Sequence, residues 1–176
     1  SELMASLQRI ADNEGAPVDS RSRAQLKIGH LAYGANDYDT AIVEYQKLQQ
    51  NYPTADTDVL VNGLYQLGVC YYQRGNNETD PQAKQLAFQN ASSTAQKVLD
   101  QDVSPENNIS AAYTIGLAKE ALGDSNGAIA AYNIATSFEG QTDDAGRIDL
   151  IFQSHSRLAE LYSNTGKDAQ AVSEYQ

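Results

Sequence analysis

At 176 residues the chain is long enough for one sizeable core or a short array of stacked units. Twelve basic residues against 23 acidic ones give a net charge of −11, which excludes a basic footprint for nucleic acid or anionic lipid. No apolar run approaches the roughly 18 residues that cross a bilayer, so direct membrane insertion is not expected.

Trp is absent, Phe numbers three and Tyr 11, so the core must be built from Ala, Leu, Ile and Tyr, a set that suits closely packed helices. Cys70, the single cysteine, has no internal disulfide partner. It lies among apolar residues and reads as a buried structural thiol. The chain opens on Ser1-Glu2-Leu3 and stops at Gln176 inside an apparent helix. It therefore reads as a piece of a longer protein, for which missing targeting signals carry no weight.

Residues 3–13 place Leu3, Leu7 and Ile10 on one helical face before Gly15 and Pro17 end the run. Residues 1–17 thus form an N-terminal half repeat or cap. The next helix begins at Asp19 or Ser20 and carries Leu26, Ile28, Leu31 and Ala32; Gly34 to Asp37 turn the chain. A partner helix follows with Tyr38, Ala41, Ile42, Tyr45 and Leu48, and stops at Asn51-Tyr52-Pro53. Near Asp58 a second hairpin starts, marked by Leu60, Leu64, Leu67, Cys70 and Tyr71, with Gly75-Asn76-Asn77 as its expected turn. Its second helix should run from Pro81, capped by Asp80, to about Asp100, with Leu86, Phe88, Ala91, Ala95, Val98 and Leu99 inward. Helices at 108–122 and 126–137 flank a turn at Gly123-Asp124. After a polar loop, a last hairpin from about Arg147 to Gln176 turns at Asn164-Thr165-Gly166. The fold class expected is all-α, with hairpins at 22–54, 58–104, 108–138 and 147–176 and no strand.

Superposing the hairpins exposes shared positions. A small residue follows an aliphatic one at Ile28-Gly29, Leu67-Gly68, Ile115-Gly116 and Leu158-Ala159. A turn residue recurs at Asn36, Gly75, Gly123 and Gly166, and Ala precedes Tyr by four residues at Ala41/Tyr45, Ala128/Tyr132 and Ala171/Tyr175. The small residues let paired helices cross closely while the aromatic fills the gap to the next unit. A lone hairpin of this kind leaves an apolar face in water, so neighbours must stack on it.

These residues resemble the tetratricopeptide repeat, with its L-G-x-x-Y, G-x-Y-x-x-A and A-x-x-x-F elements and closing proline. The resemblance covers nearly all of 20–176 and implies an α-solenoid of stacked antiparallel hairpins, a TPR-like superhelix. The small residues are 39, 48 and 43 apart rather than about 34, so helices or loops are lengthened. The phrase YQKLQQNYP before LYQLGVCYYQRG also resembles envelope repeat proteins of Gram-negative bacteria. That likeness implies a periplasmic or envelope-associated setting, with a cytoplasmic one as the alternative.

No catalytic constellation, cofactor motif or metal-ligand set is visible. His30 and His155 stand alone in sequence, and no phosphate loop, HExxH or GxSxG occurs. The acidic turns Asp12–Gly15 and Asn76–Asp80 lack the alternating ligands of a calcium loop and read as ordinary turn chemistry. What remains is a binding surface. By the resemblance, the first helix of each hairpin lines a concave groove. This places Arg23, Leu26, Lys27, His30 and Tyr33 there from the first unit, and Asn62, Tyr65, Gln66, Val69, Tyr72 and Gln73 from the second. The third contributes Ser110, Tyr113, Thr114, Leu117 and Glu120. Tyrosines among amides could grip an extended or helical peptide. The carboxylate clamp of some family members is not expected, because Asn62, Gln66, Ser110 and Thr114 stand where its cations would. The expected role is a non-catalytic scaffold for a protein or peptide. The alternative is a structural module that self-associates as a homo-oligomer.

Overall fold

The computed structural model describes residues 2–174. Tyr175, expected to pair with Ala171, and the end of the last helix at Gln176 lie outside the described residues. Among the described residues there are nine helices and no strand: α1 (Glu2–Ala11), α2 (Val18–Gly34), α3 (Tyr38–Asn51), α4 (Thr57–Asn77), α5 (Pro81–Leu99), α6 (Pro105–Ala121), α7 (Ser125–Thr136), α8 (Ala145–Asn164) and α9 (Asp168–Ser173). Two compact units divide the chain, Ser1–Ala87 and Phe88–Gln176. Each is a stack of antiparallel helices, so the expected all-α helical-repeat class holds.

Local chemistry fixes the helix ends. Asp37 and Asp124 accept hydrogen bonds from the backbone N–H of Thr40 and Gly127 at the starts of α3 and α7, and Asp80 does the same for Ala83. Three of the four expected turn residues sit in the left-handed region, Asn36 at φ 58°, Gly123 at 75° and Gly166 at 72°. That conformation stops a helix and tolerates few side chains other than Gly and Asn.

Gly75 is the exception. It is buried inside α4, which runs on to Asn77 over 21 residues. The helix runs straight through it, so the chain turns only at Glu78–Asp80. On α5 Phe88, Ala91, Ala95 and Val98 are buried, as is Ala87, while Leu86 is 56% exposed rather than inward.

In the first unit α1 packs on α2 through Met4, Leu7 and Ala11 against Ala24 and Ile28. Leu3 and Ile10, expected to share the inward face with Leu7, are exposed. Leu48, Tyr52 and Val59 join α3 to α4, with Leu26 packed against them. In the second unit Ala128, Tyr132, Leu158, Leu161, Tyr162 and Ala171 tie α7, α8 and α9 together.

Two of the expected pairings of small residue and aromatic are seen, each within one hairpin. The ring of Tyr45 lies where a Cβ on Gly29 would be, and the ring of Tyr132 lies likewise over Gly116. The tyrosine therefore closes its own hairpin first. Tyr45 also lies near enough to Cys70 of α4 for the thiol to help raise its hydroxyl pKa, behind burial as the main cause.

Candidate functional site

First helices of successive hairpins lie side by side in each unit, α2 with α4 and α6 with α8. In the first unit Arg23 bonds Asp19 of its own helix at 2.7 Å and Asp56, just before α4, at 2.8 Å. About two turns further along α2, His30 Nε2 meets Asn62 Oδ1 at 3.2 Å. His30 is half-buried and stands edge-on to Tyr45. Burial lowers its pKa; the Asn62 contact opposes that and the charge of Lys27 adds to it. Lys27 is exposed. Tyr33 is half-buried with its ring 5.8 Å from that of Tyr38, and burial pushes its hydroxyl pKa up.

Along α4, Asn62 is exposed and Tyr65, Gln66, Val69, Tyr72 and Gln73 are half-buried. The first unit thus sets four expected groove residues of α2 beside six of α4, all accessible. Leu26 does not join them, because its side chain turns inward against Leu48, Tyr52 and Val59.

In the second unit Tyr113 is half-buried, with its hydroxyl donating to Gln153 Oε1 at 2.5 Å and its ring 5.8 Å from Tyr132. Leu117 is half-buried. Thr114 is a correction: it is 5% exposed and its hydroxyl donates to the Ser110 carbonyl one turn back at 2.9 Å. Ser110 is buried and likewise bonded to the Glu106 carbonyl. Hydroxyls on a helix fold back this way when no outside partner claims them.

The fourth hairpin holds residues that sequence reasoning passed over. Gln153 of α8 receives Tyr113, Arg157 lies 3.6 Å from Glu120, and Arg147 donates to the Glu106 carbonyl at 3.2 Å. Glu120 in turn accepts the Tyr132 hydroxyl. The available signal was register, since Gln153 and Arg157 stand 91 residues beyond Asn62 and Gln66. His155 also proves to have acidic neighbours, Glu174 at 2.7 Å from Nδ1 and Glu139 at 3.6 Å from Nε2. Both come from other elements, which one-dimensional spacing conceals.

Oxygens of the acidic turns are taken up by nearby residues: both Asp12 carboxylate oxygens accept from Gln8 Nε2. Asn13 caps the N–H of Gly15, and Glu78 takes those of Thr79 and Asp80. Among the described residues no group of three or more His, Cys, Asp or Glu is placed to hold a metal ion. No described helix is long and apolar enough to cross a membrane.

Gly29, Tyr45 and the turn between them make α2–α3 a close-crossed hairpin whose first helix faces its neighbour in the next. Residues 23–55 match the tetratricopeptide repeat family. The matched repeat starts at Arg23 and runs through α3 past Pro53. Its geometry recurs: adding 87 carries Gly29, Asp37, Ala41 and Tyr45 onto Gly116, Asp124, Ala128 and Tyr132, with the same cap and the same ring over the same glycine. Tetratricopeptide repeats generally mediate protein–protein contacts. A search among curated proteins finds no match to the chain.

Proposed function

We propose that the chain is a non-catalytic interaction scaffold that holds a peptide or protein segment on the first-helix face of its repeats, above all on α2 and α4. The observation that carries this reading is the run of accessible amides and phenols along α4, Asn62, Tyr65, Gln66, Tyr72 and Gln73, beside exposed Lys27 on α2. Tyrosines give rigid contact area and amides give adaptable hydrogen bonds. A peptide array followed by calorimetry tests it. Tyr65→Ala and Tyr72→Ala should each weaken the selected peptide about tenfold, the loss of an interface anchor worth over 1 kcal/mol. An array with no binder, or two silent variants, would count against the groove.

A second reading, self-association within a larger envelope or membrane-anchored protein, is favoured by apolar side chains left open on α1 and on the last hairpin. Phe152 is 63% and Val172 57% exposed, Leu3 50% and Ile10 42%. Light scattering across a concentration series tests it, and a strict monomer removes it. The YQKLQQNYP linker phrase supports a periplasmic placement, to be checked by fractionating cells that express the natural gene.

A further inference from the structure

Arg23, Lys27 and His30 fall four and three residues apart on α2, so they share one face of the helix, the one turned to α4. Their charges are met differently. Arg23 has two carboxylates, Asp19 and Asp56, within 2.8 Å. Lys27 is exposed and has no ion-pair partner among the described residues. His30 is half-buried, with Nε2 held by Asn62 Oδ1 at 3.2 Å and the ring edge-on to Tyr45. Its other nitrogen, Nδ1, has no hydrogen-bond partner among the described residues.

No element packed around this imidazole supplies a counter-charge. On α2 the neighbours are Lys27, a like charge once the ring is protonated, and neutral Tyr33 one turn on. From α3 comes Tyr45, and from α4 the amide of Asn62 with Tyr65 beyond it. Asp58, one turn before Asn62, is the sole carboxylate on α4, and α1 meets α2 through apolar side chains. Among charged groups only Lys27 acts on His30. Burial disfavours the imidazolium, Asn62 partly offsets that and Lys27 adds to it, so the free protein holds this ring neutral more readily than an exposed histidine. A carboxylate laid over Lys27 and beside Nδ1 reverses the balance. It pairs with a cation already present, and it accepts from Nδ1–H once a proton from solvent has bound there, giving each carboxylate oxygen one charged donor. Accessible Gln66, Tyr65, Tyr72 and Gln73 run on past this point along α4 and offer hydrogen bonds without adding charge.

We propose that the segment held on the α2–α4 face is acidic, that one of its Asp or Glu side chains sits between Lys27 and His30, and that its binding takes up a proton at His30 Nδ1. The inference rests on the peptide-scaffold reading and names the ligand chemistry and the regulation of that site. It differs from a permanent cationic clamp, because half of the counter-charge exists only after the proton arrives. A side chain is inferred rather than a chain end, since the accessible face extends to both sides of the pair, to Arg23 and to Gln73. The net charge of −11 repels an acidic partner at a distance, so proton uptake at the site, not long-range attraction, sets the affinity.

The test is a peptide array in which every sequence appears three times: with Glu, with Gln in its place, and with Gln plus a free C-terminal carboxyl. The first two have both ends blocked. Calorimetry between about pH 5.5 and 8, where the peptide's own Glu stays ionised, then reads the binders. The Glu copies should bind more tightly than their Gln twins. Their advantage should grow as pH falls through about 6.5, by about tenfold for each unit that binding raises the His30 pKa. Heats in buffers of different ionisation enthalpy should show net proton uptake. In NMR the His30 ring should titrate at higher pH with a Glu peptide bound, while His155, the other histidine, should not move. Lys27→Gln should weaken the Glu copies alone, and His30→Gln should abolish the pH dependence, with circular dichroism confirming that each variant is folded. An array without any binder overturns both the scaffold reading and this inference. Twins of equal affinity, binding indifferent to pH, or an advantage confined to the free carboxyl end overturns this inference and leaves the scaffold reading standing.

Discussion

Gly29 and Gly116 occupy points where a methyl group would collide with an aromatic ring, that of Tyr45 or Tyr132. The ring is held at 0% exposure in both hairpins and cannot step aside without moving a helix. Gly29→Ala and Gly116→Ala should therefore each cost about 1–3 kcal/mol, the usual penalty of overpacking, read from urea midpoints. The two tyrosines differ at their tips. Tyr45 Oη is buried and has no hydrogen-bond partner among the described residues, while Tyr132 Oη donates to Glu120. Tyr45→Phe should be neutral or stabilising, whereas Tyr132→Phe should lose about 1–3 kcal/mol by leaving a carboxylate short of its donor; equal losses would refute the distinction. His30 makes a pH prediction. Its folded pKa lies below the unfolded one because burial disfavours the imidazolium, so the unfolded chain takes the proton first. Stability contributed here is complete above about pH 6.5 and declines as pH falls below it. His30→Gln should flatten that decline in a series of urea melts. At this scale the sequence disclosed which residues are small and which aromatic, but not which hydroxyl would find an acceptor. Position 33 holds Tyr where position 120 holds Glu, and only the packed hairpin makes that difference visible.

Among the elements, helix identity was legible because apolar steps of three and four recur and Asp or Pro marks the starts. Turns were legible where the chain needs a left-handed residue, as at Asn36, Gly123 and Gly166. Gly75 misled for a physical reason: a glycine that ends a helix and one that stays buried in it look alike in one dimension. Leu86 misled because, two residues before Phe88 at about 100° per residue, it lies on the side of α5 opposite the buried stripe. The joint between α2 and α3 includes a polar pair, with Gln25 Nε2 donating to Glu44 Oε2 at 2.6 Å and both residues buried. Gln25→Ala should cost about 1–3 kcal/mol, because the buried carboxylate loses a donor that water replaces poorly. Hydrogen exchange along α3 should rise in that variant; unchanged protection would mean that Lys47, 2.7 Å from the other Glu44 oxygen, suffices alone.

For the molecule as a whole, spacings of 39, 48 and 43 look irregular until hairpins are taken in pairs. Adding 87 maps the core of the first hairpin onto the third. Adding 91 maps Asn62 and Tyr71 onto Gln153 and Tyr162. The contacts repeat with the residues: Gln46 donates to the Tyr71 hydroxyl at 2.8 Å and Asn133 to that of Tyr162 at 3.3 Å. The two units are one plan written twice, with charges reassigned. Where the first unit places Asp56 against Arg23, the second places Arg147 against the Glu106 carbonyl. Such exchange keeps the scaffold and changes the surface. That is why periodicity revealed the architecture while concealing that Thr114 is buried and that Gln153 meets Tyr113.

Cys70 is 0% exposed, and burial alone pushes its thiol pKa up to about 12. Alkylating reagents attack the thiolate, so a maleimide should find nothing to label until the first unit opens. The rate of labelling then counts openings, one adduct per event, without any engineered probe. Measured against denaturant, it should track the loss of helicity. Labelling that outpaces it would reveal that α4 breathes while the remaining helices hold.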